Sequence, residues 1–146
     1  MRNYPSIGIQ IPNLLIPNSS IDFSKWAVIA CDQFTSQPDY WSKVHEIVGQ
    51  SPSTLHLILP EVYLGGLGED VIISNIYENM RNYIRDKVLV PLEGMILVER
   101  TTHTGLRRGL ILALDLEKYN YHRGSSSLIR ATEETILERL PPRVQI

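Results

Sequence analysis

The sequence predicts a single mixed α/β domain over residues 1–146, with packed helices and a mixed sheet that includes an antiparallel hairpin. Three observations support this class. The length of 146 residues suits one domain, and a hydrophobic content of 43% is enough for one core. Helix-like and strand-like apolar patterns alternate along the chain. Neither an internal repeat nor a long linker marks a second domain.

The N-terminal half contains a predicted strand, a predicted helix and a second predicted strand. Residues 26–30 form a short apolar run, which is typical of a strand covered on both faces. Pro38 then suits the first turn of a helix, where the missing N–H is not needed. Apolar residues from Tyr40 to Val48 follow at helical spacing. Residues 55–59 are predicted to form another strand that ends at Pro60.

The clearest amphipathic helix is predicted over residues 69–87. Its apolar positions recur at helical spacing: Ile73, Ile76, Tyr77, Met80, Tyr83 and Ile84. Burying each such side chain contributes about 1.5–3 kcal/mol. This helix is therefore predicted to be a core element, packed on the sheet that contains the hairpin.

The C-terminal half is predicted to start with that antiparallel hairpin. Its strands cover about residues 95–102 and 106–116, and the residues His103, Thr104 and Gly105 form the turn. A polar turn follows at residues 123–127. Residues 133–140 are predicted to form a short helix, which ends because two prolines come next.

The charge balance and the cysteine content exclude several classes of partner. Fourteen basic and sixteen acidic side chains give a net charge of -2, which disfavours nucleic acid and anionic membranes as partners. Cys31 is the single cysteine and cannot form an internal disulfide, which fits a reducing cytoplasm. Since no apolar run approaches the roughly 20 residues needed to cross a bilayer, no membrane-spanning helix is predicted.

The first polar cluster lies in the stretch ACDQFTSQPDYW, residues 30–41. Cys31, Asp32 and Gln33 follow a predicted parallel-type strand, where open α/β sheets place their ligand crevice. These three residues are therefore candidates for binding a small molecule. A nucleophilic Cys31 would need a base that only the fold could bring near, such as His45, so a structural cysteine is favoured.

Other polar patterns are better explained by structure than by chemistry. The hydroxyl of Thr35 or Ser36 is predicted to cap the helix that follows. The glycine-rich residues 65–68 are interpreted as a turn, because two carboxylates at the start of the next helix disfavour phosphate there. The four histidines show no close ligand spacing, so no metal site is predicted. Asp115 and Glu117 could hold magnesium, but an exposed strand end explains them as well.

The most suggestive polar region lies near the C-terminal end of the sequence. Arginines bracket a serine turn, and hydroxyls and carboxylates follow: Arg107, Arg108, Arg123 and Arg130 surround Ser125, Ser126 and Ser127, before Thr132, Glu133, Glu134 and Thr135. Guanidinium groups and hydroxyls bind phosphate oxygens, and a carboxylate can accept a proton from an attacking hydroxyl. These are the parts of a phosphoryl-transfer site. From spacing alone, a capped helix with solvated arginines is the favoured alternative.

Four long segments carry a family resemblance: ACDQFTSQPDYW, SPSTLHLILPEVYL, RTTHTGLRRGLILALDLEKYNY and SSLIRATEETILERLPPRVQI. Together they resemble the domain of unknown function 1015 family, uncharacterised proteins of bacteria and archaea, and the likeness covers nearly the whole chain. Family members are longer and carry a downstream Asp-Gly-Asn-His or Asp-Gly-His-His motif that has no match here. The resemblance therefore implies that the chain is the N-terminal part of such a protein.

The resemblance also implies a chemistry. The family motif is reminiscent of the ParB, sulfiredoxin and free-serine-kinase superfamily, whose members bind nucleotide or pyrophosphate groups. It implies a small-molecule phosphotransferase that uses ATP, ADP or pyrophosphate with magnesium. Glu133 and Thr135 are the catalytic positions that it carries over, with Glu133 as the base. The alternative is a noncatalytic domain that contacts a missing C-terminal half, so self-association or binding of a C-terminal segment is expected.

Overall fold

The computed structural model describes residues 3–130, 140 and 144, and it confirms the mixed α/β class. The helices with described bounds are α1 (Phe23–Trp26), α2 (Pro38–Val48) and α3 (Glu69–Arg85). The strands are β1 (Asn3–Tyr4), β2 (Ile9–Gln10), β3 (Asn13–Pro17), β4 (Leu89–Glu93), β5 (Ile96–Thr102), β6 (Gly105–Ile111), β7 (Ala113–Leu114), β8 (Tyr119–Asn120) and β9 (Ile129–Arg130). Three short 3₁₀ segments, Thr54–Leu57, Glu61–Tyr63 and Leu116–Lys118, complete the described elements.

The described chain forms two compact units. Residues 3–16 and 91–130 form the strand unit, which contains the hairpin. Residues 17–90, with residues 140 and 144, form the helical unit, which contains α1, α2 and α3. The predicted helix over residues 133–140 lies outside the described residues except for its last position.

In the strand unit, β5 and β6 form the predicted antiparallel hairpin. Ile96 lies opposite Ile111, and Thr102 lies opposite Gly105. Glycine suits this turn, because Gly105 has a φ of 128°, which residues with a side chain rarely adopt. The Thr102 hydroxyl also stabilises the turn by donating to the Gly105 carbonyl at 2.9 Å. The predicted extension of the second strand to residue 116 is wrong, since β6 ends at Ile111 and β7 pairs with β2 instead.

The described strands are distributed over several small sheets. β1, β2 and β7 form an antiparallel sheet, and β3 pairs with β4. β5 pairs with β6 alone among the described residues, while β8 and β9 form a short parallel pair. The serine turn therefore lies on the connection between two parallel strands.

The core of the helical unit forms around α2. Trp41 and Val48 are buried on its inner face and pack with Leu55 of the 3₁₀ segment Thr54–Leu57. Gly49 ends the helix, and its N–H donates to the carbonyl of His45 at 2.8 Å. The predicted helix at Tyr40 to Val48 is confirmed.

The start of α2 differs from the predicted cap. The residue before the helix is Gln37, and no side chain caps the first turn. The predicted capping by Thr35 or Ser36 is therefore wrong. Pro38 explains the difference, because its ring fixes φ for the helix and it has no N–H that would need a cap.

Two predicted strands are absent from the helical unit. Trp26 ends α1, residues 27–30 have no regular structure, and residues 54–57 form a 3₁₀ helix instead of a strand. The reason is hydrogen bonding by two hydroxyl groups that lie far from Trp26 in the sequence. The hydroxyls of Ser53 and Thr54 donate to the Trp26 carbonyl at 3.1 Å and 2.8 Å, so this carbonyl bonds to side chains and not to a neighbouring strand.

Helix α3 confirms the strongest helical pattern in the sequence. Ile73, Ile76 and Tyr83 are buried, and α3 contacts the 3₁₀ segment Thr54–Leu57 within the helical unit. Tyr77 and Ile84 are exposed, because each lies one position beyond a buried residue and turns about 100° away from the core. The packing of α3 on the hairpin stays a prediction. No helix among the described residues is long and apolar enough to span a membrane.

Candidate functional site

A cavity of about 190 Å³ opens in the helical unit between α3 and the segments that precede it. Its walls combine apolar and polar side chains: Leu55, Ile58, Pro60, Tyr63, Ile72 and Ile76 with His45, His56, Asn75 and Asn79. None of these ten side chains is a carboxylate, a lysine or an arginine. The cavity is therefore mostly apolar in its walls, and its lining is uncharged when both imidazoles are neutral.

One stripe of α3 forms a wall of the cavity. Ile72, Asn75, Ile76 and Asn79 follow the spacing that places residues on one helical face. The opposite wall comes from the loop after α2, where the 3₁₀ segment Thr54–Leu57 contributes its middle residues. The Asn79 amide donates to the His56 carbonyl at 3.2 Å and ties the two walls together.

A buried hydrogen-bond network supports His56 from behind. The hydroxyl of Tyr83 accepts from the Ser53 backbone N–H at 2.9 Å and lies 3.2 Å from the Ser53 carbonyl. The same hydroxyl is 2.8 Å from Nδ1 of His56. Ser53 is fully buried, so its backbone N–H and carbonyl cannot form hydrogen bonds with water. Tyr83 therefore fixes both the 3₁₀ segment and the orientation of the His56 ring.

The environment of the cavity favours neutral imidazoles. His45 is an exposed residue, and the partial burial of its ring lowers its pKa, because burial disfavours the charged form. Burial also lowers the pKa of His56, the nearby charge of His45 lowers it further, and a hydrogen bond with the Gly49 backbone opposes both effects. Burial raises the pKa of Tyr83, against the effect of its bond with Ser53. At neutral pH the cavity therefore offers donors and acceptors without net charge.

These shifts predict how stability depends on pH. Each histidine has a folded pKa below its ordinary value of 6.5, so the unfolded state binds more protons between the two values. We expect the stability from this site to be fully present above about pH 6.5 and to fall as pH drops through the folded values. Urea unfolding at several pH values measures this slope. Replacing both histidines by asparagine should flatten it, and an unchanged slope would contradict the assignment.

The polar cluster at residues 31–33 has a structural position. The carbonyl of Cys31 accepts from the Glu61 N–H at 2.9 Å, and the carbonyl of Gln33 accepts from Trp41 Nε1 at 3.3 Å. Gln33 also donates to the carboxylate of Asp32 at 3.3 Å. None of the three lines the cavity described above. Their hydrogen bonds fasten the loop before α2 to the core of the helical unit.

The arginines of the hairpin do not form one cluster. Arg107 and Arg108 are neighbours on β6 and point to opposite faces of the hairpin. Arg108 bonds to Glu99 at 2.7 Å, whereas Arg107 lies opposite Arg100. Arg107 and Arg108 therefore do not converge on one phosphate-binding position.

The serine turn brings some of the predicted residues together. Arg130 Nη1 donates to the Ser125 carbonyl at 3.0 Å, and the Ser125 hydroxyl accepts from the Ser127 N–H at 3.1 Å. Arg123 and Ser126 are exposed in the same turn. The predicted catalytic residues Glu133 and Thr135 lie outside the described residues.

The described residues contain no group of three or more His, Cys, Asp or Glu side chains that could hold a metal ion. Asp115, which could have bound magnesium with Glu117, has a local partner instead. Its carboxylate accepts from the Glu117 N–H at 3.2 Å and caps the 3₁₀ segment Leu116–Lys118.

A family model described as "Protein of unknown function (DUF1015)" matches residues 15–146. The chain belongs to the DUF1015 family. Neither a curated protein nor a solved structure matches it. The DUF1015 match contains both the cavity of the helical unit and the serine turn of the strand unit.

For this DUF1015 chain, the sequence reasoning missed the cavity. His45 and His56 lie on different elements, and only the fold brings them to one wall. One signal was present in the sequence. Asn75 and Asn79 interrupt the edge of the apolar stripe of α3 at a spacing of four, which indicates polar groups facing a partly apolar space.

Proposed function

We propose that the chain binds a small uncharged molecule in the cavity beside α3. The observation that carries this proposal is the lining itself, which joins apolar walls to imidazole and amide groups without a charged side chain. Such a combination of apolar walls and a few convergent polar groups is typical of ligand sites. The lowered pKa values of the two histidines support it, because perturbed titratable groups gather at functional sites.

The size and polarity of the cavity define the class of ligand. A cavity of about 150 Å³ holds benzene in a protein core, so 190 Å³ accommodates one ring with small substituents. Asn75 and His45 offer both donors and acceptors to such a ring. The lining offers a charged ligand no side chain of opposite charge. A flat heterocycle or a cyclic amide fits best.

This proposal predicts which probes bind. Adenine and nicotinamide, as neutral heterocycles, should shift the ring-proton NMR signals of His45 and His56. The variant Asn75→Trp places an indole at the cavity wall and should weaken binding by about tenfold or more. Ser74→Trp is the matched control, because Ser74 is exposed on the same helix and does not line the cavity. Probe shifts outside the cavity, or equal binding by both variants, would contradict the proposal.

We propose phosphoryl transfer as a second candidate function, on the strength of the serine turn. The contact of Arg130 with Ser125 holds a guanidinium beside hydroxyl groups, and Arg123 is exposed in the same turn. In this proposal the turn binds the phosphate of ATP, ADP or pyrophosphate with magnesium, and Glu133 is the base beside Thr135. Titration with magnesium pyrophosphate should then shift the amide signals of Ser125 and Arg130. Unchanged signals would favour the noncatalytic alternative.

A further inference from the structure

The β5–β6 hairpin has an exposed face that alternates apolar and charged side chains. Its residues share one side of the two strands, since Leu97, Glu99 and Thr101 lie opposite Leu110, Arg108 and Leu106. We call these six residues the ion-pair face. The side chains of Leu97, Leu106 and Leu110 are 61%, 53% and 54% exposed. Exposed apolar side chains gathered on one strand face are available to bind a partner.

The charges of this face are balanced and central. Glu99 and Arg108 form an ion pair at 2.7 Å, with Leu97 and Leu110 on one side of it and Leu106 on the other. The opposite face of the hairpin has a different character. There Arg100 lies across from Arg107, and the hairpin contributes no carboxylate to that side. Two copies of that side would repel each other, whereas two copies of the ion-pair face would not.

We propose that the ion-pair face binds the same face of a second copy of this chain. A two-fold axis parallel to the strands places β5 of each copy over β6 of the other. Glu99 then faces Arg108 of the second copy, and Leu97 faces Leu110 of the second copy. Each contact occurs twice, as it must in a two-fold interface. The packing of two sheets about 10 Å apart lets these side chains meet.

Charge complementarity favours a second copy as the partner. A partner surface of one charge sign would satisfy either Glu99 or Arg108 and would leave the other facing a like charge. A fully apolar partner would strip water from both without adding a hydrogen bond. The same face, turned about the two-fold axis, supplies both charges in the required order. The inference does not depend on the cavity or its ligand.

The experiment uses charge reversal and mixing. Sedimentation equilibrium of the full chain should show a concentration-dependent dimer. Glu99→Arg and Arg108→Glu should each be monomeric, with dimerisation weakened by about tenfold or more, because each brings like charges together across the axis. An equimolar mixture of the two variants should form a heterodimer, since one carries two cations and the other two carboxylates on this face. A monomeric mixture, or a wild type that is monomeric up to about 1 mM, would overturn the proposal.

The charge-reversal variants also break the Glu99–Arg108 ion pair within one hairpin, so a second pair of variants tests the face without changing that pair. Leu97→Ser removes an apolar contact from the ion-pair face, and Val98→Ser makes the same kind of change on the opposite face. Both residues are exposed, so neither change should unfold the chain. Leu97→Ser should weaken the dimer while Val98→Ser leaves it intact. Equal effects of the two substitutions would overturn the proposed face.

Discussion

Replacing Trp41 by alanine will lower the free energy of unfolding of the helical unit by about 3–5 kcal/mol. Trp41 is 0% exposed and packs against Val48 and Leu55, so its removal leaves a large cavity in the core. The indole also donates to the Gln33 carbonyl at 3.3 Å, and alanine cannot replace this bond. Domains are stable by about 5–15 kcal/mol, so the variant should be close to unfolding at room temperature.

Chemical unfolding followed by circular dichroism measures this loss, because that signal does not depend on the deleted tryptophan. Ile47→Ala is the matched control on the same helix. Ile47 is 59% exposed, and its truncation should change the free energy of unfolding by about 0.5 kcal/mol or less. A loss below about 1 kcal/mol for Trp41→Ala would show that the described core does not hold the unit together.

Trp41 also helps to hold the polar stretch that precedes α2 in place. The side chain of Trp41 and the N–H of Glu61 bond to the carbonyls of Gln33 and Cys31, so backbone groups of this stretch are occupied. Phe34 adopts a left-handed backbone with a φ of 52°, and its ring stacks on Tyr40 at 4.0 Å. Such a conformation costs about 1–3 kcal/mol and needs surrounding contacts to hold it. The stretch therefore has a structural role in addition to any chemistry.

The elements with a long periodic signal were predictable from the sequence. Helix α3 repeats its apolar pattern over several turns, and the hairpin has two apolar runs around a glycine turn. Each pattern therefore indicated only one type of secondary structure. Residues 26–30 and 55–59 are short apolar runs, which fit a strand, a buried loop or a tight helix equally well. Hydroxyl groups of Ser53 and Thr54 decided between them by bonding to the Trp26 carbonyl, and bonds between residues so far apart in the sequence leave no periodic signal.

The candidate site was less predictable than the fold. Residue types alone indicated Cys31 and the arginines as candidates. In the hairpin, however, neighbouring residues of a strand point to opposite faces, so Arg107 and Arg108 lie on different sides. The cavity depends on tertiary contacts among α2, α3 and a 3₁₀ segment. Because the 3₁₀ segment was expected to be a strand, the position of His56 could not be derived. An error in one local element therefore concealed the cavity.

Replacing Tyr83 by phenylalanine will destabilise the helical unit by about 1–3 kcal/mol through the loss of one hydroxyl group. Tyr83 is 8% exposed, and phenylalanine keeps its ring and its contacts with the rings of Trp26 and His56. The cost arises because the N–H of buried Ser53 loses its acceptor at 2.9 Å and His56 Nδ1 loses its neighbour at 2.8 Å. A buried polar group without a partner costs more than a hydrogen bond contributes on average.

The same substitution should affect the cavity, because the Tyr83 hydroxyl orients the His56 ring. We expect Tyr83→Phe to weaken the binding of adenine or nicotinamide and to broaden the ring-proton signals of His56. Tyr121→Phe is the control, since that tyrosine is exposed and its hydroxyl change should alter stability by about 0.5 kcal/mol or less. Equal stability of the two variants would exclude the network as a support. If Tyr83→Phe lowers stability but leaves probe binding unchanged, Tyr83 supports only the fold and not the binding of the ligand. The cavity would then keep its shape without that hydroxyl.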